Sequence, residues 1–480
     1  MMSSVSSSTN SLQDSQDNRK DVDNITEHAV AAPVKKGPKV SESDMLFYYK
    51  HLLPFKYIFH WISHSNTEIT NSFTNREFAY EYRSGAYQRY NSYTSLTDFK
   101  NSVIKANPTR FEIGAVYTVN PKERKTLPKS AMKPLEKDFV FDIDLTDYDG
   151  IRTCCSGTDI CEKCWKFITV GSQVIEKALV EDFGFKNFIW VFSGRRGAHC
   201  WISDNKARNL NESKRRAIVE YMDVLGSPNG SGGGRQNGNR NGLNIKRPLH
   251  PHVKRSLEIL KKKFKNIILD EQNPWEDDKV AFEGLLPMIS DKNLRALLKD
   301  HWTNSPGRSS FEKWKDIKTI YENNSSKIIK NFGIQNFQNM REDIIIETLY
   351  PRLDIEVSRQ LIHLLKSPFC IHPGTGNVCV PFDSKIMFED YENELVAEES
   401  GNYEDYKKKG FDPMNAPNLS LLQTEFENAT INGDFDANDD DWNRTSLKPY
   451  VKLFTDFVSK LVEDEEKVAQ RQAKKRKLTG

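Results

Sequence analysis

The sequence carries almost no net charge. Its 69 Lys and Arg residues stand against 67 Asp and Glu, leaving +2 at pH 7. No overall basic field announces a nucleic-acid ligand, so any such surface must come from local clustering. Long apolar runs are missing as well. Hydrophobic residues make up 37% of the chain, and no stretch approaches the ~20 apolar residues of a membrane-spanning helix. The reading is therefore of a chain with no membrane partner. Cysteine is scarce, with seven in 480 residues. No N-terminal pattern reads as a signal peptide, and the cysteine usage fits free thiols in a reducing compartment. The length leaves room for one large domain with an inserted subdomain, or for two domains.

What is present is concentrated in three short segments. The first, residues 139–149, reads FVFDIDLTDYD. Phe139, Phe141, Ile143 and Leu145 alternate with Val140, Asp142 and Asp144, which is the period of a strand. One face is apolar and can pack on a core. The other sets two carboxylates side by side. Two anions on one rigid strand repel each other unless a cation sits between them. Divalent-metal binding for phosphoryl or nucleotidyl transfer uses this arrangement. The competing reading is a solvated acidic strand edge.

The second segment is a CC-x5-C-x2-C cluster of Cys154, Cys155, Cys161 and Cys164. Thiolates this close suit tetrahedral zinc, with the final C-x2-C as one chelating knuckle. A disulfide framework is the alternative, but vicinal cysteines pair poorly. Four protein ligands would leave no open position for water, so such a zinc is structural. Cys200, Cys370 and Cys379 are isolated and read as core residues. The third segment, residues 188–202, places Ser193-Gly194-Arg195-Arg196-Gly197 between two apolar, strand-like runs. The glycines permit a tight turn and close approach to a ligand. Arg195 and Arg196 can grip phosphates through planar forks, and Ser193 and His199 can add donors. Alone, this is an ordinary basic hairpin. After an acidic pair and a cysteine cluster, it reads as a triphosphate clamp.

Together these motifs resemble the small, catalytic subunit of eukaryotic DNA primase, within the archaeo-eukaryotic primase superfamily. The resemblance rests on FDIDLTDYD, on the cysteine cluster with its DICEKCW ending, and on EDFGFKNFIWVFSGRRGAHCW. It continues in REFAYEYRSGAYQRY (76–90), IGAVYT (113–118) and PRLDIEVSRQLIHLLKSPFCIHPGTG (351–376), and spans about residues 44–460. It implies an α/β fold, the archaeo-eukaryotic primase catalytic fold, with a mixed β-sheet, a zinc-binding motif and an inserted α-helical subdomain. It implies that Asp142, Asp144 and Asp354 hold two catalytic Mg²⁺ or Mn²⁺ ions, and that the four clustered cysteines hold one Zn²⁺. Asp354 sits in its own alternating run, with Leu353, Ile355 and Val357 opposite. Ser193, Arg195, Arg196, His199, Lys366 and His372 match the nucleotide-binding positions. Arg89 matches an arginine associated with the initiating nucleotide. Glu112 stands where relatives carry an aspartate.

The implied activity is template-directed, de novo synthesis of short RNA primers from NTPs on single-stranded DNA, as a DNA-dependent RNA polymerase of the primase type. The implied partners are a large iron–sulfur primase subunit and the DNA polymerase alpha complex, and the implied compartment is the nucleus. With this chain's cysteines assigned to zinc, the iron–sulfur cluster belongs to the large subunit. Two other readings stand beside it: a non-catalytic zinc-containing scaffold that binds nucleic acid in a replication complex, and a damage-tolerance primase-polymerase. A cysteine insertion directly after the acidic pair favours the replicative type over the last of these.

Composition also divides the chain. Residues 1–43 are polar and read as a disordered tail. The resemblance implies a catalytic domain over 44–210, with the zinc motif at 154–164, that returns at 341–386. Between them, 211–340 reads as a flexible loop, Gly- and Asn-rich at 226–242, followed by a helical subdomain. Helical spacing is clearest at 256–269, 291–302 and 311–324. Before them, the aliphatic and aromatic run beginning at Met45 reads as a helix interrupted at Pro54, and the aromatic stretch at 78–93 as a packed face more than a base-stacking one. Residues 387–444 are acidic and read as a loop region, 445–467 as a closing helix, and 468–480 as a basic tail. The AKKRK run at 473–477 is a candidate nuclear-localisation signal.

Overall fold

Ser41 starts the first helix by a reciprocal cap. Its hydroxyl accepts from the Asp44 N–H (3.1 Å), and the Asp44 carboxylate accepts from the Ser41 N–H (2.9 Å). Helix α1 (Glu42–His51) stops before Pro54 and α2 (Phe55–Ser63) resumes after it, because proline brings no amide donor to a helix interior. The computed structural model describes residues 40–226, 243, 245–324, 328, 332–400, 409–433 and 440–479. The tail expected at 1–43 lies outside the described residues up to 39, and its last residues already belong to α1. Residues 227–242 of the expected flexible loop also lie outside them.

The first sheet contains β1 (Arg76–Glu81), β2 (Tyr87–Asn91), β3 (Arg110–Tyr117) and β4 (Pro134–Glu136), in the order β2-β1-β3-β4. Helix α3 (Leu96–Ala106) covers it, and its Phe99 ring meets Phe78 and Tyr93, each at 5.1 Å between centroids. Much of the aromatic stretch is thus a packed face. The second sheet contains β5 (Phe139–Asp144), β6 (Phe188–Phe192) and β7 (Gly197–Ile202). Its order is β5-β7-β6-β9, with β9 (Pro381–Phe382) coming from later in the chain. Phe139, Phe141 and Ile143 are fully buried, as the alternation requires. Helix α4 (Glu162–Glu181) packs beneath this sheet, where a Cβ on Gly171 would lie 3.0 Å from the Ile143 side chain.

The mixed sheet expected from the resemblance is corrected here. Every strand pair among the described residues is antiparallel, and there are two sheets. The tight β6–β7 turn can join only antiparallel neighbours, and the flanking strands pair against that hairpin in the same sense.

The described residues of the insertion are mostly helical. They include α5 (Glu212–Met222), α6 (Pro251–Phe264) with a π-helical continuation Lys265–Gln272, α7 (Lys292–Asn304), α8 (Ser310–Asn323) and α9 (Ile334–Leu349). Helix α9 delivers the chain to Pro351 and then to Asp354. The run around Asp354 is not a strand, as its alternation implied. It forms a short helix, α10 (Ile355–Arg359), with Asp354 as its N-cap. Leu353, Ile355 and Val357 are all buried: Leu353 precedes the helix, and Ile355 and Val357 lie on opposite sides of a short turn enclosed between β5 and α5.

Strands β8 (Leu365–Lys366) and β9 (Pro381–Phe382) follow; β8 pairs with β3 and β9 with β6. Among its described residues, the acidic segment 387–444, expected as a loop, carries two helices: α11 (Ser384–Ser400) and α12 (Leu419–Asn432). Each has a short inward stripe, Met387 with Tyr391 and Leu419 with Leu422, all buried. Lys166 on α4 also ties α11 down through Glu394 (2.8 Å). Helix α13 (Lys448–Thr479) closes the fold and runs on through the expected basic tail; Ala, Gln, Lys and Arg there are strong helix formers. Its Phe454 meets Trp61 at 5.7 Å and Phe369 at 5.3 Å. No described helix is long and apolar enough to cross a membrane.

Candidate active site

Strand β5 lies at one edge of the second sheet, but its outer edge is not left open. The Asp354 N–H donates to the Asp142 carbonyl (3.1 Å), and the Ser358 hydroxyl donates to the Val140 carbonyl. A free strand edge has backbone groups to satisfy. Supplying them from the 354–358 segment is what brings the third carboxylate beside the first two. The Asp354 carboxylate accepts from the Glu356 N–H (3.0 Å) and caps α10.

Asp142, Asp144 and Asp354 line one cleft of about 430 Å³, together with Thr146, Asp147, Asp223 and Arg352. Burial pushes the Asp142 carboxyl up to about 8, and the charges of Asp354 and Asp144 add to the shift. For Asp144, burial also raises the pKa, but Arg196 and Thr146 outweigh it and hold the carboxyl below its usual range. Arg196 Nε donates to Oδ1 (2.7 Å) and Oδ2 (3.0 Å). The Thr146 N–H and hydroxyl both donate to Oδ1 (2.9 and 2.8 Å). Held in this way, the three carboxylates share the cleft without converging on one point. Among the described residues, only the cysteines form a group of three or more ligand atoms all within 4.8 Å of one another. Repelling carboxylates of this kind fit hard divalent cations such as Mg²⁺ or Mn²⁺.

The basic turn stands beside this cleft. Ser193 and Gly197 close it: the Ser193 N–H donates to the Gly197 carbonyl (2.9 Å), and the Gly197 N–H donates to the Ser193 hydroxyl oxygen (3.0 Å). Two glycines are obligatory. Gly194 has φ +85°, and a Cβ there would lie 2.6 Å from the His372 Cβ; one on Gly197 would lie 2.4 Å from the Ile143 carbonyl oxygen. Lys366, opposite Glu112 on the first sheet, donates its Nζ to the Ser193 carbonyl on the second. It therefore links the two sheets at the turn.

His199 faces Asp142 across the β5–β7 pairing, with Nε2 3.6 Å from Oδ1. Burial, aided by Lys366, pushes its pKa down to about 3. His372 is also pushed down to about 3, by burial and then by Lys366, Arg195, Arg110 and Arg196. Both rings are neutral near pH 7. The Gly374 N–H donates to His372 Nδ1 (3.2 Å), which leaves the ring proton on Nε2. Several cations acting on one neutral histidine mark a local positive field in a chain with little net charge.

The four cysteines form a second centre. Cys161 caps α4, its N–H donates to Cys164 Sγ (3.1 Å), and the two sulfurs stand 3.9 Å apart. The Gln272 amide donates to Cys154 Sγ (3.4 Å), while its oxygen accepts from the N–H groups of Thr153 (2.9 Å) and Cys154 (3.4 Å). Four mutually close sulfurs with donors aimed at them fit tetrahedral zinc.

A family model described as the DNA primase small subunit matches residues 141–384. The DNA primase small subunit of Saccharomyces cerevisiae is 48% identical over 88% of this chain and 93% of its own length. The corresponding protein of Schizosaccharomyces pombe is 43% identical over 93% of this chain and 95% of its own. That of Drosophila melanogaster is 34% identical, over 88% and 92%. The chain belongs to the DNA primase small subunit family.

The family match spans both centres and the basic turn, and it leaves Arg89 outside. The structure does not bring Arg89 into the cleft cluster. Arg89 lies on β2, its fork pairs with buried Glu77 (2.8 and 3.1 Å), and Nη2 reaches the Ile362 carbonyl (3.3 Å). Glu112 pairs with Arg110 (3.1 Å) and accepts from the Tyr87 hydroxyl.

Sequence reasoning missed several residues at these centres. Thr146 and Asp147 were in view within FDIDLTDYD, and Arg352 within PRLD. Arg352 packs over the Tyr148 ring (5.4 Å) and donates to the Asp147 carbonyl (3.0 Å). Nothing local marked Asp223 or Gln272.

Proposed function

We propose that this chain is the catalytic subunit of a DNA primase. In this reading it is a nucleotidyltransferase that makes short RNA primers de novo from NTPs on single-stranded DNA. The observation that carries it is the meeting of Asp142, Asp144 and Asp354 in one cleft beside a turn with a local positive field. Those three carboxylates would hold Mg²⁺ or Mn²⁺, which when bound activates the attacking 3′-hydroxyl and offsets charge building on the α-phosphate.

The remaining work falls to side chains. Arg195 and Arg196 grip the triphosphate through their forks, and Lys366 adds a point charge from the other sheet. His372 offers one neutral Nε2–H donor, and His199 stays neutral behind Asp142. The Ser193 oxygen already accepts from Gly197, so its own proton is free for a phosphate oxygen. Arg89 serves the initiating nucleotide with the part of its fork that Glu77 leaves unused. Cys154, Cys155, Cys161 and Cys164 would hold one structural zinc, tying the loop after β5 to the start of α4.

The reading extends to a large iron–sulfur subunit and a DNA polymerase alpha complex as partners, and to the nucleus as the compartment. A non-catalytic scaffold has no use for a triphosphate clamp beside a carboxylate cleft. Incubation with labelled NTPs, a homopolymer DNA template and Mg²⁺ or Mn²⁺ should yield oligonucleotides. No product, either alone or with the large subunit added, would sink the reading.

A further inference from the structure

Both oxygens of Asp144 are already taken in this structure. Oδ1 accepts from the Thr146 N–H, the Thr146 hydroxyl and Arg196 Nε, and Oδ2 accepts from Arg196 Nε as well. The two partners differ in kind. Thr146 lies two residues along the same turn and donates partly through its backbone, so it cannot leave without unwinding the turn. Apart from its contact with Asp144, Arg196 is fixed through its backbone. Its carbonyl accepts from the Leu145 N–H (3.1 Å), and the next residue, Gly197, is locked in the β5–β7 pairing opposite Asp144. Beyond Cβ the side chain is long, and it is 24% exposed, so the guanidinium can swing while the backbone stays fixed.

We infer that Arg196 is an exchangeable stand-in for a cation on Asp144. When a triphosphate enters the clamp, the guanidinium transfers from one carboxylate to the more highly charged phosphates, which it can grip with two parallel bonds. That transfer uncovers Asp144 as a metal ligand. Nucleotide and metal binding are thereby coupled: each favours the state in which the Arg196–Asp144 pair is broken, and the coupling acts equally in both directions. Thr146 keeps Asp144 aimed into the cleft throughout. The inference rests on the proposed function, since it takes the clamp to bind a triphosphate and the cleft to bind a metal.

Direct binding tests it without catalysis. In buffer free of Mg²⁺ and Mn²⁺, with zinc left in place, a fluorescent NTP is titrated by anisotropy. Asp144→Asn releases Arg196 and should bind the NTP about tenfold more tightly than wild type, or about 1.4 kcal/mol. Asp354→Asn removes the same charge without touching Arg196, and should change affinity by no more than about two- to threefold. In the converse arm, Mn²⁺ alone is titrated by electron paramagnetic resonance. Arg196→Ala should bind Mn²⁺ about tenfold more tightly than wild type, and Arg195→Ala, an equal change of charge, should do much less. If each pair of variants shifts equally, only the local field matters and the exchange is wrong. If Arg195→Ala leaves NTP binding unchanged and Asp142→Asn leaves Mn²⁺ binding unchanged, the proposed function falls, and the exchange with it.

Discussion

Four thiols from one short segment, residues 154–164, stand within 4.8 Å of one another. Three carboxylates from both sides of the helical insertion share a cleft of about 430 Å³, yet Asp144 is turned toward Arg196 and Asp354 toward the start of its own helix. Both centres suit cations, and they are built in opposite ways. The cysteine centre is closed, with every ligand supplied by the chain and donors from Gln272 and Cys161 already in place. A cation there acts as a staple. The carboxylate centre is open and repulsive when empty, and its ligands are borrowed by Arg196, Thr146 and Glu356. A cation held there would be open to substrate. The difference teaches that ligand number matters less than what each ligand does in the absence of the ion.

The largest expected effect breaks one side of this comparison and spares the other. Asp142→Ala should lower primer synthesis at least about a thousandfold, or ~4 kcal/mol in barrier, while bound zinc and Tm are retained. Activity assays beside atomic absorption check this, and more than a few percent of residual activity would defeat the metal assignment. Cys161→Ser should do the reverse. Zinc should be lost, stability should fall by about 3–4 kcal/mol, as for losing a ligand held about 100- to 1,000-fold above its Kd, and limited proteolysis should cut near 150–170. A stable, zinc-free and active variant would show that the cluster is no staple.

Two smaller effects sharpen the comparison. Gln272→Ala removes the amide that orients Cys154, and zinc affinity measured by chelator competition should fall about 10- to 100-fold. An unchanged affinity would mean that the helical insertion does not support the zinc centre. The smallest effect tests the repulsion in the carboxylate cleft. Asp142 has a folded pKa of about 8, above the ordinary carboxylate range. The folded protein keeps that proton where the unfolded chain has lost it, so this group's contribution to stability falls as pH rises from about 4 to about 8. Asp142→Asn should therefore stabilise the Mg²⁺- and Mn²⁺-free protein at pH 8 by roughly 1–2 kcal/mol, well below the full conversion of 1.36 kcal/mol per pKa unit because water reaches the cleft. The gain should shrink toward pH 5. Thermal melts at the two pH values check it, and an equal or larger gain at pH 5 would contradict the carboxylate repulsion.

Much of the site was legible because its pieces are local. The alternation in β5, the C-x2-C knuckle at the start of α4 and the glycine-bounded turn each follow from periodicity or steric need within a few residues. The errors were local too. Alternation at 353–357 suits a strand, but a short helix enclosed on opposite sides buries the same residues, and the acid-rich 387–444 segment hid two short inward stripes.

What the sequence by itself determined is which groups are available and which way neighbouring ones face: two carboxylates on one strand face, four thiols within reach of one ion, two arginines on one turn. Only the tertiary structure decided who meets whom. The edge of β5 takes its missing hydrogen bonds from the Asp354 segment, and that, not any local pattern, brings in the third carboxylate. The same packing puts Arg196 on Asp144, Gln272 on Cys154 and Glu77 on Arg89. The physical reason is that chain periodicity sets direction over a few residues, whereas buried backbone and charged groups must be satisfied by whatever partner the fold brings near, at any distance along the chain.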